Sequence, residues 1–216
     1  MSFDIARLVG EKGRVVGIDR DQEKIALARQ EAQTQPGNLE FRVADVLNDN
    51  LAGEFDLVFV RFVLTHLPDP SAALGRIRGV LRPGGIVVTV DIDMRGYFSY
   101  PENAAVHRFV ELNTLLSQRR GGDPHIGPRL PDLLARNGFE RIQLNVIQPA
   151  ALEGDIKLLT PITLENIAGA LVEEGLASEI EVGALAAELY EFARTPGTVG
   201  TIPRIFEAWG TKSVSN

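Results

Sequence analysis

A chain of 216 residues with 44% apolar residues can bury a full hydrophobic core, and its length suits a single globular domain over residues 1–216. A net charge of −7 excludes the dense positive surface needed to grip nucleic-acid phosphates, and the lack of cysteine removes disulfides, thiolate metal sites and cysteine nucleophiles together. No apolar run approaches membrane-spanning length, and Met1 to Arg7 lacks the basic-then-apolar order of a signal peptide. The expectation is a cytoplasmic protein with a small-molecule partner, no nucleic acid and no membrane, and a homodimer among the assemblies open to it.

In chain order, Phe3 to Val9 reads as a helix. The runs Val15-Val16-Gly17-Ile18, Leu57-Val58-Phe59-Val60 and Ile86-Val87-Val88-Thr89-Val90 are continuously apolar, as strands buried on both faces are, and Leu39 to Val43 is a weaker, more peripheral strand. Between them Asp21 caps a helix carrying Ile25, Ala28 and Ala32. Asp69-Pro70 opens another carrying Leu74, Ile77 and Leu81, which Pro83-Gly84-Gly85 stops before the next strand. Strands alternating with helices predict an α/β, Rossmann-like doubly wound sheet.

Downstream, 101–117 reads as a helix, 120–127 as a loop, and Leu130, Leu133 and Leu134 mark a short helix ending at Gly138. Ile142, Leu144 and Val146 alternate with polar residues, as in a strand with one wetter face, and a second strand runs from Pro203 to Trp209; the two would pair antiparallel if adjacent. Between them residues 155–197 form a helical hairpin. Leu164, Ile167, Leu171 and Val172 line one helix and Val182, Leu185 and Leu189 the other, Gly175 closes the first, and Ser178-x-x-Glu181 boxes the second. This insertion is either a packing element or a lid over the substrate.

In an open parallel sheet, ligands bind beyond the carboxyl ends of the strands. Asp19 ends the first run, where a carboxylate can accept bonds from ribose hydroxyls. Asp45 ends the Leu39–Val43 strand, where it can accept from an adenine amino group. Either aspartate alone reads sooner as a helix cap or turn residue; the pair, each at a strand end, points to a nucleoside.

These residues resemble the class I S-adenosylmethionine-dependent methyltransferases, from about Phe3 to Trp209. Val15-Val16-Gly17-Ile18-Asp19 is similar to that family's second strand with its ribose-binding acid, and Ala44-Asp45-Val46 to its adenine-contacting turn. Phe55-Asp56-Leu57-Val58 followed by Arg61-Phe62-Val63-Leu64-Thr65-His66-Leu67 resembles the fourth strand and the segment under the methionine part of the cofactor. Leu81-Arg82-Pro83-Gly84-Gly85 resembles the turn before the fifth strand. The resemblance implies S-adenosylmethionine as cofactor, held by Asp19, Arg20, Ala44, Asp45, Val46, Arg61 and Phe62, and methyl transfer to a small-molecule acceptor. It also implies the sheet order 3-2-1-4-5-7-6 with the seventh strand antiparallel and the hairpin between the last two strands.

The family's first strand and glycine-rich loop have no counterpart ahead of Phe3, which points to truncation more than to degeneration. The chain as written is therefore expected to bind the cofactor poorly. For catalysis the candidates are His66, at the cofactor-proximal segment, and His125, on a loop that could reach the acceptor; each reads equally as a packing or surface histidine. Tyr97, Tyr100 and His125 are candidates to line the acceptor site. Asp91 and Asp93 with a histidine carry no ligand spacing, so no metal is expected. Two alternatives stay open. One is a non-catalytic binding or scaffold relative. The other is a nicotinamide-dependent oxidoreductase, against which Tyr97, Tyr100 and Tyr190 are followed four residues later by Pro101, Ala104 and Arg194 and never by lysine.

Overall fold

The computed structural model describes residues 1–33 and 37–214. Its backbone contacts cluster into two compact units, Met1–Gly53 and Glu54–Asn216.

In the first unit, helix α1 (Ser2–Val9) precedes strand β1 (Val15–Asp19), helix α2 (Gln22–Ala32) and strand β2 (Leu39–Val43). Asp21 caps α2 by accepting from the backbone N–H groups of Glu23 and Lys24, two of the donors that a helix start leaves unpaired. β1 and β2 form a parallel pair in the register Val15↔Leu39 to Asp19↔Val43. Asn38 Nδ2 donates to the carbonyls of Ala6 and Gly10, which ties the end of α1 to the start of β2.

The second unit holds strand β3 (Phe55–Arg61), helix α3 (Pro70–Val80) and strand β4 (Leu81–Asp93), then strand β5 (Ser99–Tyr100), helix α4 (Ala104–Arg119) and helix α5 (Leu130–Arg136). Strands β6 (Phe139–Ile147) and β7 (Ala150–Ala151), helices α6 (Asp155–Glu173) and α7 (Glu179–Arg194), and strands β8 (Val199–Thr201) and β9 (Arg204–Lys212) complete it. The main sheet runs β3-β4-β9-β6, parallel between β3 and β4 and antiparallel on both sides of β9. The two late strands do pair antiparallel through β9 and β6, with the hairpin of α6 and α7 in the connection between them. A small sheet, β5-β8-β7, joins segments too short for any period to be read.

Three expectations need correction. β1 and β3 are not buried on both faces: Ile18 is 42% exposed, Leu57 46% and Phe59 36%. Each strand is an edge of its own sheet, so one side has no neighbour, whereas β4, flanked on both sides, buries Val87, Thr89 and Val90. β4 also starts earlier than expected. Leu81 already pairs with Phe55, and Pro83-Gly84-Gly85 falls in the irregularity before Leu57↔Ile86 instead of in a turn ahead of the strand. β6 is wet on both faces in its outer half, with Leu144, Asn145 and Val146 all exposed, because it is the opposite edge.

The hairpin is well anchored. Leu164, Leu171, Val182, Leu185 and Leu189 pack in one core with Val106, Phe109, Leu112 and Leu116 of α4. At its open end the buried Lys157 Nζ lies 3.2 Å from Leu152 O, 3.2 Å from Thr195 O, 3.3 Å from Thr198 O and 2.6 Å from Thr198 Oγ1. One side chain thereby joins the start of α6 to the chain leaving α7.

Candidate active site

Parallel strands end on the same side, so the pairing of Asp19 with Val43 brings together the residues that follow β1 and β2. Ala44 N donates to Asp19 O at 3.0 Å and extends that pairing by one step. Asp19 Oδ1 accepts from Asp21 N at 2.9 Å; a carboxylate has about four acceptor sites, so the group keeps capacity for a ligand. Asp45 Oδ1 accepts from Leu47 N at 2.8 Å and Oδ2 from Asn48 Nδ2 at 2.9 Å. Asp19, Ala44, Asp45 and Val46 are half-buried and Arg20 is exposed. These five form one group at the carboxyl end of the β1–β2 pair, with acceptors suited to the hydroxyls and amino group of a nucleoside.

The other candidates lie in the second unit, at the carboxyl ends of β3 and β4. Phe62 N donates to Val90 O at 2.8 Å, and Phe62 has φ 53°, a left-handed backbone that residues with a Cβ seldom adopt. Such strain persists only where the surroundings hold it, and it is commonest at functional sites. The Arg61 guanidinium sits 4.3 Å from the centroid of the Phe62 ring.

Below this turn is Asp91. Its buried carboxylate accepts from Thr65 N and Ile92 N, both at 3.1 Å, and also from the backbone N–H groups of Leu64 and Val63. Burial nevertheless pushes the carboxyl up to about 6, against the downward pull of those donors. Asp91 thus anchors the 3-10 turn Leu64–His66, on which His66 is exposed.

The loop 120–127 is laced to the same end of the sheet. Asp123 N donates to Thr65 O at 2.9 Å, Thr65 Oγ1 returns a bond to Asp123 O at 2.9 Å, and Met94 N donates to Pro124 O at 3.0 Å. Gly122 allows the approach, since a Cβ there would stand 2.5 Å from Thr65 O. His125 is fixed by this loop: its N–H donates to Asp123 Oδ1 at 2.9 Å, and its Nδ1 lies 3.1 Å from Asp93 Oδ1. Asp93 Oδ1 also accepts from Arg95 N at 3.1 Å and Arg95 Nε at 2.8 Å. Burial raises the Asp93 carboxyl, but the bonds from Arg95 and His125 and the Arg95 charge together outweigh it and hold the group below the usual carboxylate value.

Tyr97 is placed differently. Its hydroxyl is 2.6 Å from Thr160 Oγ1, its ring packs edge-on against Phe109 at 5.7 Å, and burial pushes it up to about 12, so it keeps its proton at neutral pH. Beside it is a cavity of about 10 Å³, room for one water, lined by Ser99, Lys157, Thr160 and Thr201; Ser99 Oγ has no partner among the described residues. Tyr100 is exposed on β5. Among the described residues no group of three acidic or histidine side chains is placed to hold a metal.

The pairing of Asp93 with His125 and the role of Thr65 were not read from the sequence. Thr65 and Asp123 are 58 residues apart, Asp93 and His125 are 32 apart, and neither separation has a local signature.

Residues 1–121 match the family model described as "Methyltransferase domain", more than half of the chain. The chain belongs to the methyltransferase domain family. Methyltransferase str2 of Strobilurus tenacellus is 27% identical to this methyltransferase domain over 170 residues, covering 72% of this chain and 62% of its own. The YcgJ protein of Bacillus subtilis superposes with a TM-score of 0.58 at 16% identity, covering 93% of this chain and 82% of that one. Phosphoethanolamine N-methyltransferase 2 of Haemonchus contortus, solved with phosphomonomethylethanolamine and S-adenosylhomocysteine, gives a TM-score of 0.55 at 16% identity over 93% of this chain and 43% of its own. Both likenesses show the fold, a Rossmann-like α/β sheet. The chain spans about three fifths of the length of the curated relatives it matches over its longest stretches.

Proposed function

We propose that this methyltransferase domain transfers a methyl group from S-adenosylmethionine to a small-molecule acceptor. The observation that carries this reading is the family match over residues 1–121, which contains every residue assigned here to the cofactor. The cofactor, when bound, supplies an electrophilic methyl group on a sulfonium.

The chain's own residues would act as follows. Asp19 accepts from the ribose hydroxyls, Asp45 accepts from the adenine amino group between the flanking backbone of Ala44 and Val46, and Arg20 borders the nucleoside. Arg61 and the strained Phe62 contact the methionine part. His66 and His125 lie at the strand ends where an acceptor would sit, with Tyr97 and Tyr100 on the chain that leaves β4. The acidic surface implied by a net charge of −7 favours a small molecule over nucleic acid. No helix is long and apolar enough to cross a membrane. A cytoplasmic location and assembly as a homodimer belong to this proposal.

Calorimetric titration with S-adenosylhomocysteine and with NAD tests it. In a protein that also carries the first strand and glycine-rich loop, binding of S-adenosylhomocysteine is expected, and Asp19→Ala should weaken it by about 1.5–3 kcal/mol, roughly 10- to 150-fold, the range for hydrogen bonds to a charged group. Binding of NAD in its place would overturn the reading.

A further inference from the structure

Asp93 and His125 meet at the carboxyl end of β4, with Nδ1 of the ring 3.1 Å from Oδ1. The Asp93 side chain is almost wholly buried and kept charged by Arg95, and a carboxylate accepts hydrogen bonds without donating any. The ring therefore carries its proton on Nδ1, and the lone pair of the neutral imidazole is left on Nε2. The His125 side chain is 27% exposed, and Nε2 has no partner among the described residues. The His125 backbone N–H bonded to Asp123, and the loop's bonds to Thr65 and Met94, fix the backbone that carries the ring. A histidine that only packs needs neither a fixed tautomer nor an open nitrogen. This one has both, on the side of an open α/β sheet where ligands bind.

Resting on the methyltransferase reading above, we infer that Nε2 of His125, oriented by Asp93, removes the proton from a hydroxyl of the acceptor, so that the acceptor is a phenol or alcohol and the product a methyl ether. As Nε2 takes the proton, the acceptor oxygen bonds the methyl carbon and the carbon–sulfur bond leaves its electron pair on sulfur. The imidazolium formed is stabilised by the Asp93 carboxylate and later returns the proton to water. Asp93 is a positioning residue: it sets the tautomer and does not itself take up the proton.

The test combines ¹⁵N spectra of the histidine rings with methyl transfer from S-adenosylmethionine to catechol and to benzylamine. The neutral His125 ring should show a protonated Nδ1 and a bare Nε2, and Asp93→Asn should mix the two tautomers while S-adenosylhomocysteine still binds. His125→Gln should lower kcat on catechol by about 10²- to 10⁴-fold, the range for a general base, while the affinity for S-adenosylhomocysteine stays nearly unchanged. Three outcomes would overturn the inference: a proton on Nε2 in the unaltered protein, catechol turnover indifferent to His125→Gln, or a protein that binds S-adenosylhomocysteine yet methylates no hydroxyl. Failure of a protein that also carries the first strand and glycine-rich loop to bind S-adenosylhomocysteine would refute the methyltransferase reading itself, and the acceptor assignment would fall with it.

Discussion

Asp91 and Asp93 stand two residues apart on one strand and respond to pH in opposite directions. Asp93 is held below the usual carboxylate value, so whatever stability it contributes is present above that value and lost in acid. Asp91 is raised to about 6, so between about 4 and 6 the folded state binds a proton that the unfolded state does not. Its contribution is complete below the ordinary carboxylate value and disappears as pH rises through about 6. Lowering the pH from 7 to 5 should therefore add about 1.4 kcal/mol from this group, since only the one unit of that range below about 6 counts, at 1.36 kcal/mol per unit. Asp91→Asn should flatten that part of the curve; thermal melts from pH 5 to 8 would show it, and a wild-type slope retained in the variant would refute the assignment. In the sequence both aspartates follow the run Ile86 to Val90, and the one role weighed for them, a metal site, lacked the ligand spacing. What separates them is tertiary: Asp91 meets the backbone of Thr65, and Asp93 meets a ring brought back by the loop 120–127.

Among the elements, that loop and the hairpin are where packing decides what pattern left open. Gly122 reads in the sequence only as part of a glycine-rich loop, but its missing side chain is what lets Asp123 reach Thr65. Gly122→Ala would press a Cβ against a backbone carbonyl that has little freedom to yield, and a loss of about 1–3 kcal/mol is expected. Denaturant melts would measure it, and a neutral effect would mean that the loop is not docked as described. The hairpin was legible in its caps and apolar periods, while its two roles, packing or lid, were not distinguishable. Leu171 is fully buried in the core shared with α4, so Leu171→Ala should cost about 2–5 kcal/mol by equilibrium unfolding. A lid free to lift would show much less.

For the whole molecule, the strand order of the main sheet and the antiparallel last pair followed from the resemblance, and the capped helices followed from local chemistry. What did not follow was the standing of β1 and β3. Both have the unbroken apolar composition of interior strands, and composition records what a strand can bury, whereas exposure depends on which neighbours are present. The Asp19 and Asp45 turns were legible because capping and strand ends are local; the His125 site was not, because it closes over long separations.

Lys157 also closes a ring. By joining the start of α6 to the chain leaving α7, its four oxygen contacts turn the hairpin into a loop closed without a covalent bond, and such a closure limits the partly open states available to the segment. The two helices should then open as one cooperative unit, their slowest amides exchanging with a common free energy in native-state hydrogen exchange. In Lys157→Met, with the closure gone, the first turns of α6 should exchange well ahead of α7; identical protection in the two proteins would show that the packed core alone holds the hairpin shut.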